Sequence, residues 1–219
     1  MGSDQIERNR HYGCALLAGG AGRRAGGRNK ALLEYEGSSF LERIGQEMAS
    51  TGYPCYLSTG WYEQAAMPGW TGVQDEEIEG NDTAVFIGPM GGILACLRKA
   101  RTDGLDGLFF APCDAPLFRS CVITEMRRCL DGSEDAAIWR TPNGRLQPVF
   151  GYYSVTCIPV IEELRCQQCY RLSALLQAVR CRILDTGPEG IPEEYFTNVN
   201  RMGEYQDLLG QDDRGGDAV

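Results

Sequence analysis

Short apolar segments alternate with amphipathic ones along this chain. Residues 12–18, YGCALLA, form an apolar run followed by glycines, which is typical of a buried strand. Residues 38–50 begin with two serines and space their apolar side chains at helical intervals, which predicts a capped helix. The same criteria predict strands at 53–59, just before 75, at 107–112, 135–140, 146–154 and 181–185, and helices at 89–101, 121–130, 158–165, 172–179 and 201–210.

This order of strands and helices predicts an α/β fold. We expect a single Rossmann-like domain over 12–209, with a mainly parallel, mixed central sheet and helices on both faces, a flexible tail over 1–11 and a disordered tail over 210–219. Ligands of such sheets bind beyond the carboxyl ends of the strands. The glycine-rich loop after the first strand and Asp114, which follows a later strand, are therefore expected at the same edge.

Charge adds one candidate site to this picture. The formal net charge of −9 argues against general binding to nucleic acid, which depends on neutralising phosphates. Against this acidic background, Arg23, Arg24, Arg28 and Lys30 fall close together in the glycine-rich loop and predict a local anion site. No apolar run approaches the roughly 20 residues of a membrane span. Because the polar start also lacks the apolar core of a signal peptide, a cytoplasmic protein without a membrane partner is expected.

The residues available for catalysis are restricted. His11 is the single histidine and lies in the predicted tail, which argues against Ser–His and Cys–His catalysis and against histidine-rich metal sites. A metal site is therefore expected to use carboxylates and a hard cation, Mg²⁺ or Mn²⁺. Among the ten cysteines, Cys166 and Cys169 form one C-x-x-C pair, which suits a zinc or redox site. Without a second pair, ordinary thiols are the favoured interpretation.

Three phosphate-binding templates compete for the glycine-rich loop. The P-loop requires Lys and Ser or Thr where this chain has Arg28 and Asn29, so it is rejected. The dinucleotide fingerprint G-x-G-x-x-[G/A] matches at Gly20, Gly22 and Ala25, but the following residues are too rich in glycine to propagate the required helix. The favoured template is a long open loop whose backbone N–H groups and basic side chains wrap a triphosphate.

The loop LAGGAGRRAGGRNK, residues 17–30, resembles the signature L-A-G-G-x-x-x-R-M-G-G-x-D-K of the molybdenum cofactor guanylyltransferases, the MobA family. Four later segments resemble further motifs of that family in the same order: GPMGGI (88–93), APCDAP (111–116), QPVFGYY (147–153) and FTNVNRMGEY (196–205). The chain departs from the family pattern with Ala25 for Met, Asn29 for Asp, and residues 201–203 for Thr-Pro-Glu. The five motifs, which run from residue 17 to residue 205, span nearly the whole predicted domain.

The resemblance implies a role for each matching residue. Lys30 and Arg24 would hold the triphosphate and Asp114 would be the magnesium ligand, and these three are the implied catalytic residues. The implied nucleotide-binding residues are Leu17, Ala18, Gly19, Gly20, Gly22, Lys30, Asp75, Gly91 and Gly92. Asn198 and Asn200 would complete the metal and acceptor side. A carboxylate directly after a buried strand is costly without a partner, which independently favours a functional role for Asp114.

The resemblance also implies the reaction. The terminal phosphate of molybdopterin would attack the α-phosphorus of GTP, with Mg²⁺ as cofactor and pyrophosphate as the leaving group. The implied partners are these small molecules, together with molybdoenzymes or their chaperones. Guanine is favoured over cytosine because related cytidylyltransferases read L-A-A-G where this chain has Gly19, and a missing Cβ leaves room for a purine.

Other functions remain open at the level of the sequence. The alternatives are a related cytidylyl- or sugar-phosphate nucleotidyltransferase, and a non-catalytic nucleotide-binding protein. A nicotinamide-dependent oxidoreductase is a more distant one. Nucleotide preference and release of pyrophosphate separate these functions from one another.

Overall fold

The computed structural model describes residues 10–19, 30–60, 67–75, 77–78, 85–86, 88–187 and 190–212. Within these residues the main sheet has seven strands: β1 (Tyr12–Leu17), β2 (Cys55–Thr59), β3 (Thr71–Gln74), β4 (Gly107–Pro112), β5 (Ala136–Arg140), β6 (Leu146–Ser154) and β7 (Cys181–Asp185). Their order across the sheet is β7-β5-β6-β4-β1-β2-β3. β6 runs antiparallel to both neighbours and the other pairs are parallel, so the predicted mixed, mainly parallel sheet is confirmed.

The helices of the described residues follow the predicted pattern. They are α1 (Phe40–Ala49), α2 (Pro89–Thr102), α3 (Cys121–Cys129), α4 (Cys157–Cys166), α5 (Leu172–Ala178) and α6 (Met202–Asp212). α1 begins with a capping box: Ser39 accepts the backbone N–H of Glu42 at 3.2 Å, and the Glu42 carboxylate accepts that of Ser39 at 2.9 Å. Ser39, one of the two serines that predicted the start of this helix, is thereby confirmed as its cap, and Glu42 is its partner.

Several short elements were not predicted. They are the 3₁₀ turns Lys30–Leu32 and Glu193–Phe196 and two ribbons with strands of two residues each, Glu34–Tyr35 with Ser38–Ser39 and Glu77–Ile78 with Val85–Phe86. Segments this short show no hydrophobic period from which they could be recognised.

Helices pack on both faces of the sheet because the central strands are apolar on both sides. Cys14 and Leu16 of β1 belong to a core that includes apolar side chains of α1 and α3. Ala15 and Leu17 face the opposite way and belong to a second core with α2, α4 and α5. This arrangement accounts for the continuous apolar run of β1, which is typical of a parallel strand buried on both faces.

The two ends of the described region lie close to the predicted domain limits, residues 12 and 209. The Arg10 guanidinium donates to the backbone oxygen of Gly132, and the backbone N–H of His11 donates to Asp106 Oδ2 at 2.7 Å. α6 extends to Asp212, past the predicted limit at 209, because one glycine at position 210 costs an α-helix only about 1 kcal/mol. Hydrogen bonds of the described residues thus begin at Arg10 and the last helix ends at Asp212, and the domain limits of 12 and 209 stay a prediction.

Two general features complete the fold. In the described part of the chain, no helix is long and apolar enough to cross a membrane. The ten cysteines all lie among the described residues and form no disulfide there, and four of them, Cys14, Cys55, Cys96 and Cys157, are buried.

Candidate active site

The carboxyl ends of β1, β2, β3 and β4 meet at one edge of the sheet. Two backbone hydrogen bonds tie the first turns beyond these strands together: Ala18 N–H donates to Ser58 O at 3.0 Å, and Cys113 N–H donates to Leu17 O at 3.0 Å. The backbone N–H of Asp75 donates to Thr59 O at 3.0 Å. The structure therefore brings the predicted site residues that follow β1, β3 and β4 to the same edge, as the fold predicts for a ligand site.

Asp114 lies at the centre of this edge, two residues beyond β4. Its Oδ1 atom is shielded from solvent and has no hydrogen-bond partner among the described residues. Burial raises the pKa of the Asp114 carboxyl, and the nearby Lys30 ammonium works against that rise. A carboxylate oxygen kept in such surroundings without a hydrogen bond is not explained by packing, and it is a candidate for binding a ligand.

Lys30 and Asn200 meet beside Asp114. The Lys30 Nζ donates to Asn200 Oδ1 at 3.1 Å across a sequence separation of 170 residues. The backbone oxygen of Asp114 accepts the N–H of Val199 at 2.7 Å, which places the segment that carries the two asparagines against the end of β4. Three of the predicted site residues thus form one cluster.

Asn198 supplies a second oxygen without a partner. Its Oδ1 atom is shielded from solvent and, like that of Asp114, has no hydrogen-bond partner among the described residues. Carboxylate and amide oxygens are the ligands that Mg²⁺ and Mn²⁺ prefer. The donor types present therefore fit the predicted hard cation, with Asp114 and Asn198 as the residues that would hold it.

A thiol adjoins this cluster but does not match a catalytic nucleophile. Cys113 directly precedes Asp114, and burial raises the pKa of its thiol to about 12. Since the thiolate is the reactive form, Cys113 is inert near neutral pH. The cluster therefore offers an ammonium, a carboxylate and amide oxygens, which suits charge stabilisation and not covalent catalysis.

Asp75 forms a second polar group at the same edge. It is buried, and its Oδ1 accepts a hydrogen bond from the hydroxyl of Ser58, the penultimate residue of β2. Burial raises the pKa of the Asp75 carboxyl, and the Ser58 hydroxyl counteracts part of this rise. Ser58 was missed by sequence reasoning, although a serine inside the otherwise apolar strand pattern of β2 is a weak signal for such a partner.

Gly19 leaves room for Asp75. A Cβ atom at Gly19 would lie 1.8 Å from Asp75 Oδ2 and 3.0 Å from the backbone nitrogen of Gly60. The volume that the sequence interpretation assigned to a purine is thus already occupied by a carboxylate. The glycine is required here because the Asp75 side chain lies directly against the backbone of the first loop.

Gly91 and Gly92 lie in the first turn of α2, and both are buried. A Cβ atom at Gly92 would lie 2.5 Å from Ser58 Oγ and 3.2 Å from Asp75 Oδ1. Gly92 therefore allows α2 to pack closely on the Ser58–Asp75 pair. Any nucleotide contact of these two glycines would be made by the backbone at the start of the helix.

Changing Gly19 to alanine tests this packing. We expect Gly19→Ala to displace Asp75, to destabilise the fold by about 1–3 kcal/mol as other overpacked sites do, and to weaken nucleotide binding. Gly72→Ala is the matched control, because a Cβ atom at Gly72 meets nothing within 4 Å. Chemical denaturation and a nucleotide titration of both variants provide the measurement, and equal effects in the two would contradict the role assigned to Gly19.

Part of the predicted site lies outside the described residues. The structure describes Leu17, Ala18 and Gly19 of the first motif, with the Leu17 side chain buried in the core. Gly20, Gly22 and Arg24 fall outside the described ranges.

Comparison with known proteins places the chain in a family. The family model described as MobA-like NTP transferase domain matches residues 14–182, which is most of the chain. The chain belongs to the MobA-like NTP transferase family. It is accordingly a nucleotidyltransferase, and the matched range includes the glycine-rich first motif and the motif segments 88–93, 111–116 and 147–153.

Individual relatives agree with this assignment. The chain is similar to a molybdenum cofactor guanylyltransferase of Pseudomonas putida, with 30% identity over 148 residues that cover 68% of this chain and 73% of that protein. Another, from Pasteurella multocida, is 23% identical over 89% of this chain and 97% of its own length. In fold, this chain is similar to molybdopterin-guanine dinucleotide biosynthesis protein A from Archaeoglobus fulgidus. The TM-score is 0.70 and the identity 17%, and the match covers 92% of this chain and 98% of that one.

Proposed function

We propose that this MobA-like NTP transferase transfers GMP from GTP to the terminal phosphate of a molybdopterin-type acceptor and releases pyrophosphate. An acceptor phosphate oxygen forms the new bond to the α-phosphorus, and the bond from that phosphorus to the bridging oxygen of the β-phosphate breaks. The observation that carries the proposal is the cluster of Lys30, Asp114 and Asn200 at the strand ends of a chain whose relatives are named molybdenum cofactor guanylyltransferases.

The chemistry of the cluster suits this reaction. The acceptor phosphate has a second pKa of about 6 and is mostly ionised near neutral pH, so it needs no general base. The position of the one histidine agrees with this. The backbone N–H of His11 donates to Asp106, which precedes β4, whereas Asp114 follows that strand at its other end. Lys30 would bind the phosphates and offset the charge that develops during transfer. Asp114 and Asn198 would hold Mg²⁺, and the bound ion would further neutralise the charge of the phosphates.

Asp75 supports guanine as the base. A carboxylate can only accept hydrogen bonds, and the Watson–Crick edge of guanine offers two neighbouring donors, whereas those of cytosine and adenine each combine a donor with an acceptor. Ser58 fixes one oxygen of Asp75, and Gly19 and Gly92 leave space for the pair. A rigid acceptor of this kind would favour GTP over CTP and ATP.

Calorimetric titration with GTP, CTP, ATP and NAD, with and without Mg²⁺, tests the nucleotide part of this proposal. We expect GTP to bind selectively and more tightly with Mg²⁺ present. A preference for CTP would retain the fold and mechanism but change the product to a cytidine derivative. The guanylyltransferase proposal would be abandoned if the protein bound only NAD or none of the four nucleotides.

A further inference from the structure

Glu204 connects the start of α6 to the candidate site. It occupies the first turn of that helix, and its Oε2 atom accepts the backbone N–H of Asn200 at 2.5 Å and that of Arg201 at 3.0 Å. Both amides precede the helix, where no backbone carbonyl of the helix is in place to accept their N–H groups, as is usual at a helix start. One carboxylate oxygen therefore fixes the backbone at Asn200.

The same asparagine contacts Lys30 through its side chain. Asn200 Oδ1 accepts the hydrogen bond of Lys30 Nζ at 3.1 Å, so its backbone is held by Glu204 while its amide holds the lysine. The Glu204 carboxylate also raises the pKa of Asp114, although burial is the dominant cause of that rise. Glu204 is thus within electrostatic reach of the cluster, and its hydrogen bonds among the described residues are to backbone N–H groups.

α6 itself is anchored to the segment that follows Lys30. The hydroxyl of Tyr205 donates to the backbone oxygen of Glu34 at 2.6 Å, and the Tyr205 ring meets that of Phe40 edge-on at 6.0 Å. Leu208 of the same helix is buried with Tyr35 and Phe40. Glu204 therefore projects from a helix start whose position relative to the lysine segment is set by packing.

We propose that Glu204 is a positioning residue for nucleotidyl transfer, which holds Asn200 so that Asn200 in turn holds Lys30 beside Asp114. This inference rests on the proposed function above. It adds a residue that contacts no substrate and acts only through the backbone of Asn200. A purely structural cap is the competing explanation, since a carboxylate in the first turn stabilises any helix.

The chain contains a matched control for a purely structural cap. Glu42 occupies the first turn of α1, is exposed like Glu204, and accepts the backbone N–H of Ser39 in a capping box. Glu42→Ala should thus lower the stability of the fold by an amount similar to Glu204→Ala, and Glu42 has no contact with Asn200 among the described residues. Glu204→Gln is the conservative variant, because a single amide oxygen can accept both backbone N–H groups.

The chemical reactivity of the lysines reports the position of Lys30 without any turnover. Lys30 and Lys99 are the two lysines of the chain. Lys99 lies on α2 and is paired with Asp103, the residue that follows this helix. Competitive acylation of the full-length protein, quantified by mass spectrometry, gives the labelling rate of Lys30 relative to Lys99. Glu204→Ala should raise this ratio because Lys30 loses its fixed acceptor, while Glu204→Gln and Glu42→Ala should keep the wild-type ratio.

Kinetics provide the second readout. In Glu204→Ala we expect kcat/KM for the acceptor to fall about tenfold or more, as a misplaced catalytic group does, and Glu204→Gln should restore most of it. The proposal is overturned if Glu204→Ala changes the labelling ratio and the kinetics no more than Glu42→Ala, or if Glu204→Gln behaves like the alanine variant. If the wild-type protein releases no pyrophosphate, the proposed function fails, and the labelling ratio still decides whether Glu204 positions Lys30.

Discussion

Asp114→Asn is expected to lower magnesium-dependent pyrophosphate release by about 10³-fold, the size of loss seen when one stabilising group is removed from a catalytic site. The substitution keeps the shape of the side chain but replaces a charged oxygen donor with a neutral amide. Asp114 Oδ1 has no other partner among the described residues, so no neighbouring protein group is left to compensate. Steady-state turnover as a function of Mg²⁺ concentration checks this expectation. An unchanged dependence on Mg²⁺ would show that Asp114 does not bind the metal ion.

Stability distinguishes this loss from unfolding. The folded-state pKa of Asp114 is raised, so the folded protein favours the protonated form and the ionised carboxylate costs stability as pH rises through that pKa. Asp114→Asn should therefore not lower Tm at neutral pH, and any gain in Tm should shrink as pH falls. Asp106→Asn, just before the start of β4, is the matched control and should retain turnover.

Lys30→Ala is expected to reduce turnover by about 10²–10³-fold, because the variant removes the ammonium that neutralises the reacting phosphates. The fold should be retained, since Lys30 contributes only one described side-chain hydrogen bond, to Asn200. Lys99→Ala is the control: it removes the other lysine of the chain, which pairs with Asp103 in an exposed i,i+4 ion pair that contributes little to stability. Equal turnover in Lys30→Ala and Lys99→Ala would show that the first motif does not bind the reacting phosphates.

Much of this architecture could be predicted because the sequence carries it locally. The Ser39–Glu42 capping box, Pro89 in the first turn of α2 and the apolar run of β1 each depend on neighbouring residues only. Asp114 was predicted as a site residue from the family resemblance and because a carboxylate directly after a buried strand requires an explanation. The edge of the sheet followed from the fold class, since parallel strands end together.

The contacts that were missed depend on residues distant in the chain. Ser58 bonds to Asp75 only because β2 and β3 are neighbours, and Gly19 is required by the carboxylate of Asp75 and not by an open base pocket. No local pattern encodes either contact.

Glu204 was overlooked for a different reason. Residues 201–203 depart from the family motif Thr-Pro-Glu, so the comparison with that motif assigns no role to the acid at the next position, Glu204. The helix begins at Met202, so Glu204 lies three residues beyond the capping position Arg201, where an acidic side chain can reach back to the backbone. The spacing was present in the sequence, but its link to Lys30 required the structure.

Guanylyl transfer is tested by incubating the 219-residue protein with GTP, Mg²⁺ and a molybdopterin-type acceptor, and measuring pyrophosphate together with the mass of the product. We expect stoichiometric pyrophosphate and a product heavier than the acceptor by one guanylyl group, with CTP a far poorer donor. Nucleotide binding without pyrophosphate release, or transfer of a cytidylyl group in preference to a guanylyl group, would contradict this expectation.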